Sequence, residues 1–138
     1  MVKTLDITEL QQLFEKLPEV AAADSILKKA DVLSVKGLLG SSRAMFSSAL
    51  FKKSSGTYLY ILNDAESAGY FYHDLTQVMG SREVLFFPSA YKRAAKFGQL
   101  DAANEILRTE TLSRLQEDDK SLIIVSYPDA ITEKTVSG

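Results

Sequence analysis

The residues most able to do chemistry lie between Gly37 and Ala44, in a glycine-containing turn that leads into a predicted helix. A phosphate-binding loop has the pattern G-x-x-x-x-G-K-[ST]. Its glycines bring backbone amides to the phosphates, its lysine reaches the outer phosphates, and its hydroxyl holds Mg²⁺. Here Ser42 replaces the second glycine, Arg43 replaces the lysine, and Ala44 replaces the hydroxyl residue. The pattern predicts the scaffold of a nucleotide site without its catalytic side chains.

What is left of the loop is its backbone and one cation. The amides of Gly40 to Arg43 would lie at a helix N-terminus, which favours anions, but a guanidinium does not substitute for the point charge of lysine. The competing explanation is a turn that keeps its glycines for their backbone geometry alone. We predict no nucleotide turnover and no metal site, and residual anion binding stays open. The degenerate loop comprises Gly37, Gly40, Ser41, Ser42, Arg43 and Ala44.

The rest of the sequence holds no catalytic set. A nucleotide-hydrolysing site would need an acidic pair of the Asp-Glu type after a later strand. No such pair follows any predicted strand, and Asp129 alone, after Leu122–Val125, is a weak candidate. His73 has no acid or nucleophile paired with it in the pattern, so a satisfied or solvent-facing side chain is the simpler explanation. Lys92, Arg93 and Lys96 could contact a nucleic-acid backbone, although three cations beside one tyrosine are usually a solvated loop.

The composition is that of an ordinary globular chain. Its 138 residues are 46% hydrophobic and 25% charged, and the net charge of −2 gives no general attraction to nucleic acid or anionic membrane. The sequence has no cysteine, which excludes disulfides and thiolate metal sites. No signal peptide or membrane span is visible, so we expect a cytoplasmic protein without membrane contact.

Four short apolar runs, rich in β-branched and aromatic residues, are typical of strands buried on both faces. They are Val32–Val35, Tyr58–Leu62, Val84–Phe87 and Leu122–Val125. Segments of helical period separate them, and this alternation implies right-handed βαβ units and a parallel sheet. The predicted fold class is α/β, a three-layer arrangement with a parallel sheet of about four or more strands and helices on both faces.

Apolar residues at steps of three and four predict the helices. Two helices, beginning near Asp6 and Pro18, precede the first strand and are expected to pack across one end or face of the sheet. Three more cover Ser42–Lys53, Asp64–Met79 and Asp101–Gln116. The last has a less regular stripe, made of Ile106, Leu107, Leu112 and Leu115.

Few strands are present, and Ser126–Gly138 looks like the start of another helix. We therefore expect one domain, 1–138, that is an N-terminal fragment of a larger multidomain protein. An exposed apolar patch is expected where the other domains pack.

Four pieces of the sequence follow one another in order: V-K-G-L-L-G-S-S-R-A, Y-I-L-N-D-A-E-S-A-G-Y-F-Y-H-D-L, R-T-E-T-L-S-R-L and S-L-I-I-V-S-Y-P-D-A-I. Together they resemble the N-terminal UvrB-homology region of the bacterial transcription-repair coupling factor family, Mfd, from about Val32 to Val136. In the related repair helicase subunit UvrB the first piece is an intact nucleotide loop, whereas the copy in the coupling factors has lost its nucleotide-binding residues. The changes at Ser42, Arg43 and Ala44 match that loss.

The resemblance implies a fold of the P-loop NTPase or helicase type, and a domain that is not an enzyme and holds no cofactor. It implies that the full-length protein displaces stalled RNA polymerase from double-stranded DNA with a separate motor that uses ATP and Mg²⁺. The N-terminal region would support recruitment of UvrA in nucleotide excision repair. The main UvrA contact is expected to lie in an inserted domain outside these residues.

Two alternatives from other classes stay open. The first is a small phosphate- or nucleotide-binding α/β enzyme that uses Arg43 and the backbone amides of the Gly37–Arg43 loop. The second is a DNA-binding fragment that uses Lys92, Arg93 and Lys96, which would show an affinity that falls steeply with salt.

Overall fold

The computed structural model describes residues 6–29, 34–38, 40–54, 56–91, 101–117 and 121–133. This part of the chain is an α/β fold with a small parallel sheet. Its elements are the helices α1 (Ile7–Glu15), α2 (Pro18–Leu27), α3 (Ser42–Lys53), α4 (Ala65–Met79), α5 (Ala102–Leu115) and α6 (Pro128–Ile131), and the strands β1 (Thr57–Ile61), β2 (Val84–Phe86) and β3 (Leu122–Ser126).

The sheet is built around β3. The strand order is β1-β3-β2, and both outer strands pair with β3 in parallel. Tyr58 and Val84 lie on either side of Ile123. Every residue of β3 is buried, which is the pattern expected of a parallel strand covered on both faces.

Three of the four predicted strands are confirmed to within one residue at each end. The fourth prediction, Val32–Val35, differs, because Ser34 and Val35 are exposed and form no strand, and Val32 and Leu33 lie outside the described residues. The described residues thus form three strands rather than about four or more. A short apolar run signals a tendency to be buried, but it does not supply the neighbouring strand that pairing needs.

α3 is the central helix of the fold. It is buried from Ala44 to Phe51, because the sheet and α4 cover one side of it and α1 and α2 cover another. α2 packs against Phe46, and Gln11 of α1 donates a hydrogen bond of 2.6 Å from Nε2 to Ser48 Oγ. α1 and α2 therefore pack on α3, and not across the sheet as expected.

The two faces of the sheet are covered unequally. α3 and α4 cover the face that carries Ile123, whereas α5 lies on the other face beside β2, where the guanidinium carbon of Arg108 is 4.1 Å from the centre of the Phe87 ring. On this second face Leu59 and Ile61 of β1 are 54% and 56% exposed. Helices lie on both faces, as predicted, and an exposed apolar patch lies at the β1 corner.

Local signals set the ends of α4. Asp64 accepts a hydrogen bond of 2.7 Å from the Ser67 amide, which satisfies one of the free donors of the first turn. Gly80 follows the last turn with a φ of 81°, a conformation that favours glycine. Both ends were predicted from the sequence.

The predicted apolar stripe of α5 is only partly right. Ile106 is 67% exposed and Leu115 is also exposed, whereas the buried side chains of this helix are Arg108 and Thr111. The Thr111 hydroxyl donates to the Leu107 carbonyl at 3.0 Å and so needs no further partner. The buried arginine needs partners from elsewhere in the chain, and it finds them at the carboxyl edge of the sheet.

Candidate functional site

The loop before α3 has the backbone of a tight glycine turn. Gly37 and Gly40 adopt φ angles of 88° and 55°, which L-residues rarely adopt. The Arg43 amide donates to the Gly40 carbonyl at 3.3 Å, so the chain enters α3 directly from the second glycine. Both glycines are therefore explained by backbone geometry, without a ligand.

Arg43 is the one cation of the degenerate loop. Its side chain is exposed, and its Nε donates to the Leu38 carbonyl at 3.3 Å. Among the described residues no carboxylate pairs with it. The guanidinium thus folds back onto the loop that precedes the helix, and Arg43 lines a groove beside that loop.

An acidic side chain lies against the N-terminus of α3. The Ser41 hydroxyl donates to Oδ2 of Asp74 in α4 at 3.4 Å. The Asp74 carboxylate thus lies close to the N-terminus of α3, where a helix favours negative charge. It would repel a phosphate bound at the same end of the helix.

Ala44 occupies the position of the metal-binding hydroxyl, and it is fully buried. It belongs to the same core cluster as Phe51, Ala68 and Leu75. A side chain at this position therefore faces the packed interface between α3 and α4, and not a solvent-accessible phosphate site.

A groove of about 870 Å³ runs between this loop, α3 and β1. Tyr60 of β1 borders it, with its hydroxyl close to Ser47. Burial raises the pKa of Tyr60 above its ordinary value of 10.0, the Ser47 hydrogen bond acts in the opposite direction, and Tyr58 adds a smaller rise. Tyr60 is therefore a neutral hydrogen-bonding group and not a catalytic base.

This pKa shift predicts a loss of stability in alkaline solution. The folded chain holds the Tyr60 proton more tightly than the unfolded chain does. The stability that this proton contributes is therefore fully present below pH 10, and it is lost as the pH rises through the pKa of Tyr60 in the folded chain. In urea denaturation, we expect the free energy of unfolding to fall less for Tyr60→Phe than for the native chain as the pH rises from about 9.5 to 11. The exposed Tyr70, changed to phenylalanine, is the control, and an equal effect of both changes would contradict the assignment.

The carboxyl ends of the three strands form a second polar region, which the sequence did not reveal. Arg108 is only 6% exposed. Its Nη1 donates to the carbonyls of Pro88 and Ala130, both at 2.9 Å, and lies 3.4 Å from Oε2 of Glu133. Its Nη2 has no hydrogen-bond partner within the described structure. Arg108 thus connects the loop after β2 to the end of α6.

Glu133 completes this connection from the other side. Its carboxylate accepts hydrogen bonds from the Ser89 hydroxyl and from the Ala90 amide, the latter at 2.9 Å. The Ser89 amide donates to the Tyr127 hydroxyl at 2.7 Å, and Asn104 Nδ2 donates to the Ser89 carbonyl at 3.0 Å. Ligands of open α/β folds bind at this edge. Here most of these polar groups hydrogen-bond to one another and act as structural ties, whereas Arg108 Nη2 has no partner within the described residues.

Two of the remaining sequence candidates lie within the described residues. His73 is exposed on α4, as predicted. Asp129 is exposed on α6, and it lines a cavity at the carboxyl edge together with Ser89 and Asn104. Lys92, Arg93 and Lys96 lie outside the described residues.

The described part of the chain contains no group of three or more histidine, cysteine, aspartate or glutamate side chains placed to hold a metal ion. None of its helices is long and apolar enough to cross a membrane.

Comparisons with protein-family models, with curated proteins and with solved structures found no match to this chain.

Proposed function

We propose that this chain is a non-catalytic, UvrB-like domain of a transcription-repair coupling factor, in which the nucleotide loop is kept for its fold. The four ordered sequence pieces from Val32 to Val136 support the family. The glycine turn, the buried helix that follows it and the parallel sheet are consistent with a fold of the P-loop NTPase or helicase type. ATP and Mg²⁺ would be used by a separate motor of the full-length protein.

One observation carries the non-catalytic part of this proposal. Ala44, at the position of the metal-binding hydroxyl, is buried in the α3–α4 core. The Asp74 carboxylate lies beside the N-cap residue Ser41. An active phosphoryl-transfer site depends on positioned cations and a metal around the phosphates. Here the metal position is buried, and a carboxylate lies beside the N-cap residue of the helix.

In the cell, this domain would support recruitment of UvrA to RNA polymerase that has stalled at DNA damage. Contacts with the polymerase and with double-stranded DNA would be made by other parts of the full-length protein. The alternative, a small phosphate-binding enzyme that uses Arg43 and the Gly37–Arg43 amides, requires the loop itself to act. The two proposals therefore differ in what a change at the loop should do.

The test is strand-specific repair in the source bacterium. We expect in-frame deletion of the gene segment that encodes this chain to abolish faster repair of the transcribed strand after ultraviolet damage, while repair of the other strand continues. Arg43→Ala is the matched variant, and we expect it to lower the strand preference far less than the deletion does, because the proposal gives the loop no chemical step.

Two outcomes would contradict the proposal. Strand preference that survives the deletion would remove the role in transcription-coupled repair. A loss of preference in Arg43→Ala as complete as that of the deletion, with the variant still folded and expressed, would show that the loop itself acts, and it would favour the phosphate-binding alternative.

A further inference from the structure

The outer edge of β1 has no strand beside it in the described part of the chain. β1 pairs with β3 along its inner edge, where the Leu62 amide donates to the Ser126 carbonyl at 2.9 Å and the Leu122 amide donates to the Gly56 carbonyl at 3.2 Å. Successive backbone groups of a strand point to opposite edges. The amides and carbonyls of Leu59 and Ile61 therefore point away from β3.

The side chains at this edge are apolar, and they lack the usual protection. Leu59 and Ile61 are both more than half exposed. Natural edge strands avoid pairing with other chains by carrying charges, proline or a bulge. β1, with the sequence TYLYI, has no charge and no proline.

A groove of suitable shape runs beside this edge. It is the 870 Å³ groove lined by β1 from Tyr58 to Leu62, by Phe46 and Leu50 of α3, and by the loop at Val35. A strand laid along the outer edge of β1 would place one row of side chains against α3. Its other row would lie beside Leu59 and Ile61, so apolar residues fit at alternating positions.

The charges of the groove are at one end of β1. Tyr58 hydrogen-bonds to the Ser54 carbonyl and Tyr60 to Ser47, so α3 runs antiparallel to β1. Arg43, at the start of α3, therefore lies toward the carboxyl end of β1, and Lys36 lines the same groove. Within the described residues neither cation has a carboxylate partner.

We propose that the outer edge of β1 binds an extended segment of a partner protein as an added strand. The segment has apolar residues at alternating positions and carboxylates at the end that meets Lys36 and Arg43. Main-chain hydrogen bonds to Leu59 and Ile61 supply affinity, and the charge match sets the orientation of the segment.

A second copy of this chain fits the groove less well than an acidic segment. If two β1 edges paired in antiparallel fashion, the residues that precede β1 in the second copy would approach Arg43. That stretch carries Lys52 and Lys53 and has no carboxylate. The charge pattern therefore favours an acidic partner over self-association.

The test begins with hydrogen exchange of the free chain and a displayed library of random nine-residue peptides. We expect the amides of Leu59 and Ile61 to exchange much faster than that of Tyr60. We expect the peptides selected on the native chain to alternate apolar residues and to carry aspartate or glutamate at one end. Protection of Leu59 and Ile61 equal to that of Tyr60 would show that the edge is already occupied and would overturn the proposal.

Variants then locate the binding site. Leu59→Pro removes an amide that points away from β3 and leaves the hydrogen bonds to β3 in place. We expect this variant to lower the affinity for a selected peptide at least about tenfold. Ile106→Ser, which changes an apolar residue on α5 that is even more exposed than Leu59, should leave the affinity for the peptide within about twofold of the native value. Lys36→Glu/Arg43→Glu should lower the affinity for the acidic peptide and raise the affinity for a copy of that peptide in which the acidic residues are replaced by basic ones.

Three further results would overturn the proposal. The first is that no selected peptide loses affinity in Leu59→Pro. The second is that the selected peptides show no excess of acidic residues, and the third is that sedimentation shows a dimer that Leu59→Pro dissociates. The last result would assign the edge to a second copy of the chain.

Discussion

Arg108→Ala is expected to lower the free energy of unfolding by about 3 kcal/mol, because it removes one member of a buried ion pair and leaves the other without its counter-charge. The guanidinium lies over the Phe87 ring and donates to the carbonyls of Pro88 and Ala130. Its loss would leave both carbonyls and the Glu133 carboxylate short of a partner. Urea denaturation followed by circular dichroism measures the change.

Two further variants separate charge from geometry at this position. Arg108→Lys keeps the charge, but a lysine ammonium cannot both stack on Phe87 and reach two carbonyls, so we expect it to recover less than half of the loss. Arg82→Ala, at an exposed position, should change stability by less than about 0.5 kcal/mol. A similarly small effect of Arg108→Ala would show that the ties at the carboxyl edge do not stabilise the fold.

Restoration of the nucleotide loop is expected to fail. The triple variant Ser42→Gly/Arg43→Lys/Ala44→Thr recreates the sequence pattern, but the Ala44→Thr change would place a hydroxyl and an extra methyl in the core beside Ala68. Overpacking of this kind costs about 1–3 kcal/mol. Calorimetry should show no ATP or ADP binding in the presence of Mg²⁺, and denaturation should show the loss of stability.

The double variant Ser42→Gly/Arg43→Lys is the control for that loss, because it leaves Ala44 in place. Adding Asp74→Asn to the triple variant removes the acidic neighbour of Ser41. It tests how far the charge of Asp74 opposes nucleotide binding. Nucleotide binding by the triple variant alone would show that the loop is intact apart from three side chains, and that neither Ala44 burial nor Asp74 excludes phosphate.

Much of the fold could be predicted because its signals are local. β3 is an uninterrupted apolar run, and α4 has an aspartate at its start and a glycine at its end. α3 was predicted with its observed bounds, since its apolar residues lie at helical steps before two lysines. In each case the residues that decide the element are within the element or next to it.

The errors arose where burial depends on residues far away in the sequence. Arg108 occupies a buried position of α5 because its partners come from Pro88, Ala130 and Glu133. Ile106, on the same helix, has no such surroundings and is exposed. A stripe of apolar residues cannot reveal a buried cation, and the only sequence signal was the irregularity of the stripe itself.

The degenerate loop was predicted from residue types, but its local environment was not. The sequence shows that lysine and hydroxyl are missing at Arg43 and Ala44. Only the packing shows that position 44 faces the core and that Asp74 approaches Ser41 from α4. Residue types alone give neither contact, because Ala68 and Asp74 both come from α4.

The most direct test of the account is calorimetric titration of the native chain with ATP and with ADP, each in the presence of Mg²⁺. We expect no binding heat at concentrations up to the millimolar range, because the metal position is buried at Ala44 and the helix N-terminus is flanked by Asp74. Saturable binding with micromolar affinity would contradict the account and would identify the loop before α3 as a working nucleotide site.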